Sequence, residues 1–135
     1  MKRNSLRKVS VALLVLLLLL ANAAWAKTIR VRFPKGKSSV VLKGRTTGGP
    51  SESGGMDPIT YTFRARKGQR LILNLTSEKK NAVFGVYAPG MDLVEGAQSV
   101  NDWTGTLPKT GQYEIIVFPE DEATDTNFTL KLTIE

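Results

Sequence analysis

Between Ile59 and Thr76, apolar and polar side chains alternate almost one for one. Ile59, Tyr61, Phe63 and Ala65 are interleaved with Thr60, Thr62, Arg64 and Arg66. After Lys67-Gly68-Gln69, Leu71, Leu73 and Leu75 alternate with Ile72, Asn74 and Thr76. A period of two puts one set against a core and the other in water, as in a half-buried antiparallel strand. Two such runs joined by a short connection containing Gly68 predict a β-hairpin.

The same period recurs along the chain. Ile29, Val31 and Phe33 predict a strand over Thr28–Phe33, ended by Pro34-Lys35-Gly36-Lys37, and Ser38–Arg45 is a second strand around Val40-Val41-Leu42. Thr46–Pro58 is rich in Gly, Ser and Pro and reads as a loop. Ala82–Ala88 is an almost unbroken apolar run, expected of a central strand covered on both faces. Met91–Asn101 is mixed and reads as a loop, and Trp103–Leu107 is a short strand before the Pro108–Gly111 turn. Tyr113, Ile115 and Val117 mark a strand over Gln112–Phe118, with Phe118 and Ile72 as apolar residues on nominally outward faces. Phe128, Leu130, Leu132 and Ile134 mark the last strand, after an acidic loop at Glu120–Asp125. No stretch keeps an apolar period of 3.6, so no substantial helix is expected. About eight short strands with regular turn punctuation predict an all-β, antiparallel β-sandwich.

The first 26 residues follow a different logic. Lys2, Arg3, Arg7 and Lys8 precede the apolar run Val9–Ala21, and Ala24-Trp25-Ala26 supplies small residues for cleavage. This is the pattern of a secretory signal peptide, and its apolar core is shorter than the ~20 residues of a spanning helix. Residues 1–26 are therefore expected to be removed. Residues 27–135 are then expected to form a single domain in the periplasm or outside the cell, with no membrane association. The segment carries four basic and no acidic residues, so its loss takes the formal charge from +7 to +3. With no cysteine, no disulfide assists the fold, and apolar packing must hold it. The remaining charge is uneven: residues 27–70 hold 11 basic and 2 acidic side chains, and residues 71–135 hold 4 and 10. Two readings stand side by side, a solvated sheet with an acidic loop and a bipolar surface that steers a charged partner. On their outward faces, Arg64 and Arg66 are expected to adjoin Arg30 and Arg32 in a basic patch. The modest charge and the lack of interleaved aromatics argue against nucleic acid.

Chemistry is narrowly bounded. The chain has no His and no Cys, which removes imidazole acid–base catalysis, thiol nucleophiles and the usual transition-metal ligand sets. Asp57, Asp92 and Asp102 stand alone in loop contexts and read as turn residues, without the pairing a glycosidase needs. The Glu120–Asp125 run lacks the ligand spacing and central glycine of a dedicated calcium loop. Neither a metal nor a cofactor is expected, and the chain reads as a binding protein rather than an enzyme. Sequons at Asn74 and Asn127 fall within strands. Most aromatics sit at inward positions and read as core. Trp103 is set apart because it follows a loop and has polar neighbours.

Three stretches carry a resemblance: Lys27–Gly44 (KTIRVRFPKGKSSVVLKG), Thr60–Leu71 (TYTFRARKGQRL) and Phe84–Asp92 (FGVYAPGMD). With the signal peptide, the overall length and Gly111–Glu114, they resemble periplasmic inhibitors of g-type lysozyme. The Thr60–Leu71 run and Thr104–Val117 (TGTLPKTGQYEIIV) also resemble the bacterial pre-peptidase C-terminal domain. Both resemblances imply a sandwich, jelly-roll-like in the second case. The first implies a lysozyme-type glycoside hydrolase as partner, with polar and basic loop groups entering its carboxylate-lined cleft. Arg45, Ser51, Ser53 and Lys109 are the candidates, because they fall in loops or at strand ends. The second implies an envelope polysaccharide or protein as partner, with Trp103 as the contact.

Overall fold

The computed structural model describes residues 27–47, 58–120 and 125–135, and in these residues it has nine strands and no helix. They are β1 (Lys27–Arg30), β2 (Ser39–Thr46), β3 (Ile59–Ala65), β4 (Arg70–Ser77), β5 (Ala82–Ala88), β6 (Asp92–Leu93), β7 (Asp102–Thr106), β8 (Gly111–Pro119) and β9 (Thr126–Ile134). They form two facing sheets, ordered β1-β3-β8-β5-β6 and β2-β9-β4-β7. From β2 onward this is the strand order of a jelly roll, in which most connections carry the chain from one sheet to the other. β1 is added at an edge, parallel to β3 in the register Lys27↔Ile59 to Arg30↔Thr62; the other pairs are antiparallel.

The alternation assigns the faces correctly. Tyr61, Phe63, Tyr113, Ile115, Val117, Phe84 and Val86 line the inner face of the five-stranded sheet and are buried. Leu71, Leu73, Leu75, Phe128, Leu130 and Leu132 meet them from the other sheet. Phe63 stacks on Tyr113 across β3 and β8 at 5.6 Å, and Tyr61 meets Phe128 edge-on across the sheet gap at 6.3 Å. Gly44 is what lets β2 lie over this cluster: a Cβ there would stand 2.5 Å from the Phe128 ring and 3.0 Å from the Tyr61 hydroxyl.

The hairpin expected over Ile59–Thr76 does not form. β3 pairs with β1 and β8, whereas β4 pairs with β9 and β7 in the opposite sheet. The Arg66–Gln69 turn is thus a crossing between layers. Its bonds go to β7's end, with Gly68 N–H donating to Leu107 O (2.9 Å) and Leu107 N–H to Gln69 O (2.8 Å). The Met91–Asn101 segment, expected as loop, contains the two-residue strand β6, which covers part of β5's outer edge. β5 is buried along nearly its whole length, as its apolar run predicts, although it is penultimate in its sheet rather than central.

Candidate protein-binding site

In a jelly roll the loops gather at the two ends of the sandwich, so the end on which a loop residue falls decides which others it can act with. At one end β2, β4 and β8 finish and β3, β5 and β9 begin. Arg45, opposite Asn127, emerges here and forms an ion pair with Asp125 at 3.1 Å. The Arg45 side chain is 59% exposed, so the contact is a loose one that another carboxylate can displace. Beside it Asn127 Nδ2 donates to Glu78 Oε2 (3.2 Å), and Asn74 donates to Asp102. Below Arg45, buried Thr46 donates to Thr126 O (3.4 Å) and anchors the strand end.

The connection from β4 to β5 completes this end. Ser77 Oγ accepts from the backbone N–H groups of Asn81 (3.1 Å) and Ala82 (3.2 Å), and Lys80 takes a left-handed φ of 55°. An open recess of about 510 Å³ lies between Lys43, Thr76, Glu78 and Asn127, floored by Gly44 and Phe128. A second, of about 330 Å³, adjoins it past Thr76 and Ser77 toward Lys80 and Asp102. The end therefore offers a guanidinium, amides, hydroxyls and carboxylates around hollows. That suits polar docking of another macromolecule. Asp92 and Asp102, which stand alone in the sequence, are also apart in the fold: Asp102 starts β7 at this end and Asp92 lies at the other.

Lys109 lies at the opposite end, in the β7–β8 turn. Its ammonium donates to Asp92 Oδ2 at 2.7 Å, and that bond, reinforced by the lysine charge, holds the Asp92 carboxyl below the usual range. The backbone of Lys109 is clasped by Tyr113, whose hydroxyl donates to Lys109 O (2.6 Å) and accepts from Lys109 N–H (2.9 Å). The neighbouring Thr110 accepts from Lys67 N–H, which places Lys109 where β4 starts, whereas Arg45 lies where β4 ends. Eight residues of β4 separate them, roughly 23 Å of strand. Arg45 and Lys109 therefore cannot enter one narrow cleft together. Ser51 and Ser53 lie outside the described residues, as do residues 1–26 and Asp57. Most of the acidic run Glu120–Asp125 lies outside them as well.

Trp103 pairs with Leu73 on edge strand β7, is half-buried and packs against the core. Its ring lies over Gly105, where a Cβ would collide with it. The polar neighbours that set it apart point outward, while the indole itself turns in. The four arginines of the expected basic patch are all exposed. Arg30 stands level with Thr62, and the bond from Val31 N–H to Thr62 O (2.8 Å) closes that last pair of the ladder, two residues short of Arg32 and Arg64. Alternation missed Glu78, Asn127 and the Asn74–Asp102 pair because it treats every outward polar residue alike. Only strand register shows which of them meet.

Comparison with known proteins follows the same lines. No family model matches the chain. An inhibitor of g-type lysozyme from Escherichia coli (strain K12) is 31% identical over 140 residues, covering 100% of this chain and 97% of that protein. The crystal structure of Aeromonas hydrophila PliG, a periplasmic inhibitor of g-type lysozyme, is 30% identical and superposes with a TM-score of 0.65. The match covers 82% of this chain and 97% of that one. The pre-peptidase C-terminal domain of a Bacillus anthracis collagenase superposes with a TM-score of 0.53 at 16% identity over 82% of this chain and 96% of its own, a likeness of fold alone. Full-length similarity at this level, on a jelly roll whose core follows the alternation of its own sequence, places the chain in the family of periplasmic inhibitors of g-type lysozyme.

Proposed function

We propose that the mature protein is a non-enzymatic periplasmic inhibitor of g-type lysozyme, acting through the end of the sandwich that carries Arg45. The observation that carries this reading is the match to the Escherichia coli inhibitor along the whole of both chains. A glycoside hydrolase of this kind works through a carboxylic acid in its cleft. A guanidinium and hydroxyl donors brought to that group would pair with it and bar substrate. Arg45, loosely held by Asp125, is the cation for this role, and Ser51 and Ser53 lie in the adjoining stretch of chain. Lys109 is assigned no part, because it sits at the far end with its charge engaged by Asp92.

The test is titration of a purified g-type lysozyme with the protein from Lys27 onward, reading lysis of peptidoglycan. Activity is expected to fall in proportion to inhibitor added; undiminished activity at micromolar excess overturns the proposal. Arg45→Glu places a negative charge against the cleft acid and is expected to raise the inhibition constant at least about tenfold. The melting temperature should stay within about 2 °C, since an exposed ion pair contributes little. An envelope polysaccharide is the weaker alternative. The likeness to the collagenase domain supports a fold and no ligand, and Trp103 packs inward rather than presenting a stacking face.

A further inference from the structure

The end opposite Arg45 is built from four turns tied to one another. Lys67 N–H donates to Thr110 Oγ1 (2.9 Å), and Gly68 N–H to Leu107 O (2.9 Å). Arg70 and Glu135 exchange both backbone bonds, and Ile134 N–H donates to Ser38 O (2.9 Å), which draws in the Pro34–Lys37 turn. The Pro89–Met91 turn packs on Gly111, where a Cβ would stand 2.8 Å from Pro89 Cγ. Five cations from two separate stretches of the chain thereby share one end: Lys35, Lys37, Arg66, Lys67 and Arg70. All are exposed, and none has an ion-pair partner among the described residues. Of the acids there, Asp92 is engaged by Lys109, and exposed Glu135, whose backbone is bonded to that of Arg70, leaves the cations in excess. Met91 closes its turn, 57% exposed, in a left-handed conformation (φ 63°) disfavoured outside glycine, its N–H donating to Ala88 O at 3.0 Å.

We propose that this end docks the protein on the acidic phospholipid headgroups of an envelope membrane. Unpaired cations on several turns match a plane of anionic charge, and each contributes to attraction at such a surface. An apolar side chain exposed at the same end reaches the boundary between headgroups and acyl chains, which a soluble polyanion lacks. Among the described residues no helix is long and apolar enough to cross a membrane, so attachment is superficial and reversible by salt. The sequence predicts no membrane association once residues 1–26 are removed, but that expectation concerns a spanning segment, and only the turns bring these cations together at one surface. Docking by this end turns the Arg45 end away from the lipid and leaves it open to a partner.

Co-sedimentation of the mature protein with vesicles of phosphatidylglycerol and phosphatidylethanolamine tests the proposal without lysozyme. Binding is expected at low ionic strength and absent from phosphatidylcholine vesicles. Release is expected in about 1 M salt, where the screening length is about 3 Å. Lys35→Gln, Lys37→Gln and Lys67→Gln should each lower the partition coefficient about fivefold. Met91→Ser should weaken vesicle binding while leaving retention on a phosphate-bearing resin unchanged. These exposed substitutions are expected to leave thermal melting unaltered, which guards against misfolding. Failure to sediment with acidic vesicles at low salt, or undiminished binding by the triple lysine variant, overturns the proposal. Resin retention without vesicle binding does so too, and would mark a site for soluble polyanions.

Discussion

Tyr61 and Tyr113 are both buried inward residues of the five-stranded sheet, yet their hydroxyls meet opposite fates. Tyr113 reaches the Lys109 backbone and both donates and accepts there, whereas Tyr61 has no hydrogen-bond partner among the described residues. Removing a buried hydroxyl strands its partners, so Tyr113→Phe should cost about 1–3 kcal/mol. Tyr61→Phe removes an unsatisfied group and should be neutral or stabilising. Thermal melting of the two variants separates them by several degrees, at roughly 4–8 °C per kcal/mol for a domain of this size. Burial also holds the Tyr61 pKa above its ordinary value of 10.0. The folded protein then keeps a proton that the unfolded chain releases. Stability is therefore unaffected by this group at lower pH and declines as pH rises through and beyond about 10. Melting temperatures recorded across that range should fall less steeply for Tyr61→Phe. Alternation placed both rings in the core, but it carries no information on which turn folds over a ring's far edge.

Among the elements, edge strand β7 shows how a polar context misleads. In DWTGT, Trp103 and Gly105 share the inward face, and the absence of a side chain at Gly105 provides the space the indole fills. Trp103 is the single tryptophan after residue 26, so its fluorescence reports this contact alone. Gly105→Ala is expected to push the ring outward and shift its emission to the red. Peptidoglycan fragments or oligosaccharides should leave the wild-type emission unmoved. A blue shift on adding sugar would restore the stacking role. The β3–β4 crossing teaches the complementary lesson. Each strand was legible from Ile59–Ala65 and Leu71–Leu75, while their pairing was not. A period of two states which side chains face inward, but both sheets present such a face to the same core. A short Gly-containing connection serves a hairpin turn and a crossing between layers equally well.

Across the whole molecule, β5–β6 is the one pairing between consecutive strands among those described. β2 must find β9 and β3 must find β8 before the inner faces can close, so much loop entropy is lost before the core compensates. Stopped-flow refolding, followed by Trp103 emission, is expected on the millisecond-to-second scale typical of such topologies; microsecond folding would contradict it. The same long-range order sorts function. It sends Arg45 and Lys109 to opposite ends and gathers Lys35, Lys37, Arg66, Lys67 and Arg70 at one of them. The basic bias of residues 27–70 was visible in composition, but whether it formed a patch or a diffuse halo was not.

Taken alone, the sequence settled the all-β class, the inward face of nearly every strand and the lack of His- or Cys-based chemistry. These follow from local periodicity and side-chain inventory, which need no knowledge of distant residues. Tertiary structure decided that β3 and β4 part company, that Trp103 turns inward and that the candidate cations divide between two ends. Those outcomes depend on register and on which turns meet, properties of strand pairs far apart in the chain that no local pattern encodes.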